Sequence, residues 1–348
     1  MNVRTALRSA LSLGAVASIA GVAELSGQET ARVSGDRVSV YNLAGEVEVV
    51  RGGGSDVVVT VSRGGDDGDR LTVETGTIDG RETLRVVYPD DEIVYREMGR
   101  GSSTDLRVRD DGTFGNGGDR VRIRGSGDGL EAWADLRIEV PRGTDLAVYV
   151  AVGHLTAEDV QGDLRLDTHS GRVDARDIVG DLTVDTGSGA VEVDGAEGSV
   201  SVDTGSGRVT VNNAGGAALD VDTGSGSVRG EELSFDRVGV DTGSGSIRLE
   251  RISARDLTLD TGSGSVDLDL MTDVDRLEVD TGSGSVTVRI PDSLGAEVEL
   301  DTGSGGIDLD VELSSARIQR DHATGQVGDG QGTIKLDTGS GGIRLVRR

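Results

Sequence analysis

The pentapeptide Asp-Thr-Gly-Ser-Gly recurs at a nearly constant spacing, and that period limits the available folds more than any other feature of the chain. Intact copies begin at Asp185, Asp203, Asp222, Asp241, Asp260, Asp280, Asp301 and Asp337. Degenerate copies begin at Asp167, where His169 replaces the first glycine, and at Asp321, where His322 and Ala323 intervene. Successive starts lie 18 to 21 residues apart, apart from a last step of 16. A period held that closely belongs to architectures whose short units stack on neighbours, because no unit can bury an apolar side alone.

The flanks of the motif define strands. Positions three and one before the aspartate are apolar, as at Leu182 and Val184, Val200 and Val202, Leu257 and Leu259, and Ile334 and Leu336. Positions six and eight after it repeat the pattern, as at Val191 and Val193, Val209 and Val211, Ile247 and Leu249, and Val286 and Val288. Period-two alternation of branched residues specifies a strand with one buried face. A third inward contact follows eleven residues after the aspartate, at Ile178, Ala196, Ala214, Leu233, Ile252 and Met271. These columns predict an all-β fold: a single-stranded β-helix or β-solenoid of about ten coils with a less regular β-rich N-terminal region. Coils joined by parallel pairing advance about 4.8 Å each, which gives a rod on the order of 45 Å. A meander or sandwich is the alternative, but it would not need the same turn at the same place in every unit.

The chain divides on this reading into residues 1–23, 24–150 and 151–348. In the first, Arg4 and Arg8 precede an apolar run from Leu11 to Val22 and a small-residue exit at Gly21-Val22-Ala23, the pattern of a secretory signal. The run is interrupted and shorter than the roughly 20 residues of a membrane span, and no later segment would span. Residues 24–150 alternate less regularly, with Val38, Val40, Val47, Val49, Val57 and Val59 in strand-like positions and a long exposed loop, or an irregular link between strands, expected at 97–120. They are expected to act as a cap or as first coils. Residues 151–348 hold the repeats. The expected location is therefore outside the cytoplasm: periplasm, outer cell surface or extracellular medium.

Composition removes several functions. Absence of cysteine excludes disulfides, thiol chemistry and a lipid-modified cysteine anchor. A formal charge of -27 argues against nucleic acid and anionic membranes as partners, since phosphate binding needs a cationic footprint. The stretch Val184-Asp185-Thr186-Gly187-Ser188 resembles the active-site signature of aspartic proteases, but those enzymes share a proton between two aspartates about 3 Å apart across paired lobes. Here the aspartates recur once per unit. The simpler reading is a turn in which aspartate accepts a bond from the amide two residues on and the glycines allow positive φ.

Stacked aspartates nevertheless repel one another. Arg208, Arg229, Arg248 and Arg289 are expected to offset the charge, and calcium is the cofactor such a column could take, through Asp203, Asp222, Asp241 and Asp260. No other cofactor is expected. His154, His169 and His322 are scattered, without metal-ligand spacing. Trp133 is a candidate contact for a partner, against the commoner role of packing in its own domain. The irregular loop with Arg107, Asp110 and Asp111 is the one place suited to a polysaccharide-active site.

The segment around Val40–Val49, the Val140-Pro141-Arg142-Gly143 turn and the units with Asp-Thr-Gly-Ser-Gly together resemble the bacterial putative-adhesin domain family, over most of residues 31–346. The resemblance implies a β-solenoid of exported or membrane-associated bacterial proteins without assigned catalytic residues; the transmembrane helix or signalling domain that some similar proteins carry is lacking here. The function expected is a non-enzymatic exported structural or binding module presenting repeated faces to a surface, glycan or envelope protein through many weak contacts. A polysaccharide-active enzyme and a calcium-binding envelope scaffold are the alternatives. Only Arg347 and Arg348 stand at the end of the stack, so end-to-end self-association is also expected.

Overall fold

Alternating branched residues form strands throughout the computed structural model, which describes residues 28–348. The secretory signal expected at 1–23 lies outside the described residues. The inward columns are buried as their spacing requires, with Leu182, Val184, Val200, Val202, Leu257 and Leu259 all at most 2% exposed. Successive units pair in parallel and in register, Leu182 opposite Val200, Val200 opposite Leu219, and Leu219 opposite Val238.

The architecture is not the β-helix or β-solenoid of about ten regular coils that the period led us to expect. One 26-stranded sheet, nearly closed around a single apolar core, dominates the molecule, and a separate 4-stranded sheet lies beside it. Two features overturn the regular-coil expectation. First, strands of the N-terminal half are members of the large sheet. Val47–Arg51 pairs in parallel with both Leu155–Glu158 and Trp133–Val140, while Val57–Gly64 pairs antiparallel with Gln28–Val33 and Trp133–Val140. Second, the units do not stack in sequence order. Gly332–Thr338 pairs with Arg276–Thr281 on one edge and Ala296–Thr302 on the other, which places the Asp337 unit between those of Asp280 and Asp301. Periodicity records that units offer equivalent edges. It does not record which unit takes which place, or where antiparallel partners join.

The 97–120 stretch is also more ordered than a loop. Ser103–Val108 and Asp119–Arg124 pair antiparallel within the small sheet, together with Glu92–Val94 and Leu130–Glu131. Ile93, Tyr95, Val121 and Ile123 of this sheet pack on Leu43, Ala44, Ala151 and Val152 of the large one.

Threonine closes the motif turn, a role the sequence reading gave to aspartate. The threonines of the repeats are buried, with Thr242, Thr261, Thr281 and Thr338 fully so. Thr261 Oγ1 accepts a hydrogen bond from Gly264 N at 3.0 Å and donates one to Gly245 O, in the neighbouring unit, at 2.9 Å. Thr242, Thr281, Thr302 and Thr338 make the same two bonds. The amide two residues after the aspartate bonds across units instead, as Gly262 N does to Thr242 O at 3.2 Å. The final glycine of the motif is required by close approach and not by positive φ, since a Cβ on Gly264 would lie 1.9 Å from Gly245 O.

Thr261→Val keeps the shape of the side chain but leaves Gly245 O and Gly264 N without partners, and is expected to cost about 2 kcal/mol. Gly264→Ala forces two backbones apart and is expected to cost at least as much. Urea unfolding of both variants checks this, and a Thr261→Val midpoint equal to the native one would remove the ladder from the account of stability.

Candidate functional site

In-register pairing has a direct consequence at the surface. The residue between the last apolar position and the threonine of each repeat strand lies beside its equivalent in the next unit. Asp167, Asp185, Asp203, Asp222, Asp241, Asp260, Asp280, Asp337 and Asp301 therefore follow one another strand by strand. Adjacent strands lie about 4.8 Å apart, so this is a row of carboxylates at close, regular intervals. Asp203, Asp222, Asp241, Asp260, Asp280 and Asp301 are exposed, and the other three half-buried. The structure thus gathers every intact-motif aspartate into one column and adds Asp167.

Charge along the column is compensated only towards its ends. Arg165 approaches Asp167 at 3.5 Å and Asp185 at 3.7 Å, and His322 Nδ1 lies 3.1 Å from Asp301 Oδ2. Among the described residues, Asp203, Asp222, Asp241, Asp260 and Asp280 form no salt bridge. Of the arginines expected to offset them, Arg248 pairs with Glu250 and Arg289 with Asp267. Partial burial, and then the like charges on either side, raise the carboxyls of Asp203 and Asp260 above their ordinary value. Asp167 and Asp337 are raised by the same causes in the same order. No group of three or more His, Cys, Asp or Glu side chains placed to hold a metal ion occurs among the described residues. A cation at the column would be shared along a row and not enclosed.

The column continues past the motifs as an aromatic step. Tyr149 pairs with Asp167 on one side and Tyr41 on the other, and the two rings stack with centroids 4.5 Å apart at 9°. Phe114, in the connection between Ser103–Val108 and Asp119–Arg124, meets Tyr41 edge-on at 5.4 Å, and burial pushes the Tyr41 hydroxyl up to about 12. Sequence reasoning passed over both tyrosines, although Val40-Tyr41-Asn42 and Val148-Tyr149-Val150 occupy the register of Leu166-Asp167-Thr168.

A second feature went unseen because its residues are far apart in sequence. Glu46, Asp135, Arg137 and His154 line a groove of about 520 Å³ together with the apolar Val47 and Leu136. His154 Nε2 lies 2.7 Å from Asp174 Oδ2, and Arg172 Nε donates to both oxygens of that aspartate. Asp135 accepts a bond from Glu46 N, and its carboxyl is raised chiefly by burial and further by Glu46 and Glu97.

The remaining candidates have structural partners. Trp133 is half-buried at the seam between the sheets, its ring 5.8 Å from that of Tyr95 and against Gly64. Arg107 donates to Gly118 O, and Asp111 accepts from Thr113 N and Oγ1. His169 is exposed at the column's edge. No helix among the described residues is long and apolar enough to cross a membrane.

Residues 134–346 match the model of the Toastrack DUF4097 family. No curated protein matches the chain. A crystal structure of a putative adhesin from Bacteroides fragilis is similar at 11% identity and a TM-score of 0.36, over 92% of this chain and 96% of that one. A putative cell adhesion protein from Clostridium sporogenes matches at 10% identity and a TM-score of 0.23, over 92% and 99% of the two chains.

The raised carboxyls make stability depend on pH with a definite sign. Because Asp203 and Asp260 are raised above 3.8, the folded chain holds their protons more tightly than the unfolded chain. The stability gained from those protons is complete below 3.8 and is lost as pH rises through the raised values. Asp105 has the opposite sign: bonds from Arg120 and Arg122 hold it at about 2, so its contribution is lost as pH falls from 3.8 towards that value. The urea midpoint is therefore expected to rise as pH is lowered from neutrality into the carboxylate range, ahead of acid unfolding. Replacing both column residues by asparagine should stabilise the neutral, low-salt protein by about 0.5 kcal/mol per site after solvent screening, and flatten the pH profile. A double variant that titrates like the native chain would show that the column carries no net repulsion.

Proposed function

The chain belongs to the Toastrack DUF4097 family, and from that premise we propose that it is a non-enzymatic exported binding module whose carboxylate column is the contact surface. The column itself carries this reading. It is exposed, regularly spaced, left without counter-charge along its middle, and its spacing is set by backbone pairing before any partner binds. Each site contributes little alone, because an exposed ion pair is worth on the order of 0–1 kcal/mol. A partner that repeats positive charge along its length can engage many sites at once, and the contributions then combine through high effective concentration. The partner class that fits is an extended polycation at a cell or matrix surface, such as a polysaccharide bearing free amines. Export rests on the basic-then-apolar start of the chain, with Trp133 and the groove at His154 as secondary contacts.

Retention on an immobilised glucosamine polymer tests the reading. The chain is expected to bind at low ionic strength and to be released as salt rises above about 0.15 M, where the screening length falls to about 8 Å. The fully acetylated polymer, which lacks the positive charge, should not retain it. Replacing Asp203, Asp222, Asp241 and Asp260 together by asparagine is expected to lower retention at least tenfold while the protein stays folded. Equal retention of that variant would remove the column as the contact surface. Protease digestion on intact and opened cells separately tests export: degradation that requires disruption of the cytoplasmic membrane would overturn it.

A further inference from the structure

We propose that Gly332–Arg348 is an exchangeable unit, and that the gap it fills is a self-association site at which a second copy of this chain docks by inserting its own Gly332–Arg348. The inference is independent of what the carboxylate column binds. It starts from the unit that is out of order. Gly332–Thr338 places Ile334, Leu336 and Thr338 opposite Leu277, Val279 and Thr281 on one side, and opposite Val298, Leu300 and Thr302 on the other. Ile343–Arg347 likewise lies between Val286–Ile290 and Ile307–Asp310.

Among the described residues, Ala296–Thr302 and Ile307–Asp310 have no direct pairing with the strands of the Asp280 unit. The Asp301 unit is therefore joined to the body of the sheet through the inserted segment. Its outer edge is occupied by the antiparallel strand His322–Val327, from which the chain crosses to the inner edge in the short connection 328–331. That connection contains Gly328 and Gly330, both at positive φ, where a backbone can reverse or extend without strain from a side chain.

The gap holds its segment through hydrogen bonds at the turn. Thr338 Oγ1 donates to Gly284 O at 2.8 Å and accepts from Gly341 N at 3.0 Å, while Thr302 Oγ1 donates to Gly341 O at 2.8 Å. A Cβ on Gly341 would meet Gly284 O at 1.8 Å, so the gap requires glycine at this point of the turn. A second copy offers the same segment with the same bonds, which is the condition for exchange of an identical element between protomers. Stacking by the rim strand is the competing mode. There Ile307–Asp310 would bring its own Asp308 and Asp310 against like charges, which blunts edge pairing. Exchange buries what the closed chain buries and adds no such contact.

Glu278 and Lys335 face outward on adjacent strands, directly opposite each other across the edge of the inserted segment. The native chain has no cysteine, so one full-length copy carrying Glu278→Cys and another carrying Lys335→Cys report exchange without background. The two are mixed at high concentration, held near the foot of the thermal transition, cooled and oxidised. A covalent heterodimer is expected, in large excess over that formed by a control pair bearing the same two substitutions plus Gly341→Val in the donor. A second preparation, otherwise unchanged but with residues 329–330 deleted and both cysteines in one chain, is expected to shift from monomer to dimer, with the disulfide between chains. The inference is overturned if the mixed copies give no more heterodimer than the control, or if the shortened chain remains monomeric with its disulfide inside one chain. Should the shortened chain fail to fold, the mixed-copy experiment decides alone.

Discussion

A threonine hydroxyl that serves two backbones at once sets the geometry on which the rest of the structure depends. Thr261 receives Gly264 N within its own turn and gives its proton to Gly245 O in the neighbouring unit. Both bonds are buried, so each turn satisfies its polar groups only when the next unit is in place. The contact needs backbones closer than a side chain would allow, which is why glycine is repeated beside the threonine. Thr168 shows the converse. In that degenerate copy its Oγ1 is buried without a hydrogen-bond partner, next to the position where His169 replaces glycine.

Register enforced at the turn is enforced for every other position of the unit. The apolar columns gain from it, because Val and Leu of one unit cover those of the next and the core needs almost no aromatic residue. The aspartates lose from it, because like charges are brought to about 4.8 Å spacing at the backbone. Some carboxylates outside the column are paired, Asp105 with Arg120 and Arg122, and Glu131 with Arg96. What sets Asp203 to Asp280 apart is their register, which places unpaired carboxylates side by side on successive strands. Such a row is a surface whose repulsion falls when a cationic partner arrives, so stability and binding draw on the same carboxylates.

How much of this was legible in the residues depends on range. Leu182 and Val184, then Val191 and Val193 six and eight residues after Asp185, and the same pairs in each unit announce strands, buried faces and parallel register, all of which are local or periodic properties. The tyrosine step was legible in principle, since Val148-Tyr149-Val150 has the inward–outward–inward form of Leu166-Asp167-Thr168, but it lacks the motif that draws attention to the others. The strand Ser103–Val108 was hidden because only Leu106 and Val108 mark its inner face, among charged and small neighbours. Sheet closure was not legible at all. It depends on antiparallel partners such as Val57–Gly64 with Trp133–Val140, whose register is set by contacts between distant segments. The groove shared by Glu46, Asp135 and His154 was out of reach for the same reason.

The order of the last units exposes the limit of periodicity most clearly. Units that share one motif fit one another's places, so the motif cannot choose among arrangements, and the flanking residues must do so. Ala296–Thr302 commits its outer edge to an antiparallel partner, with Leu300 opposite Ala323 and Asp301 opposite His322. Its inner edge then remains for a unit apolar enough to be covered on both sides. Ile334, Leu336, Ile343 and Leu345 are almost completely buried there, whereas Ile307 and Leu309 at the rim stay half-buried. The rim strand alternates those residues with Asp308 and Asp310, charges that are tolerated at an edge and disfavour further pairing. Hydrophobic burial thus draws the later segment inward, and acidic residues hold the earlier one at the boundary, which is why sequence order and spatial order part company at this end of the sheet.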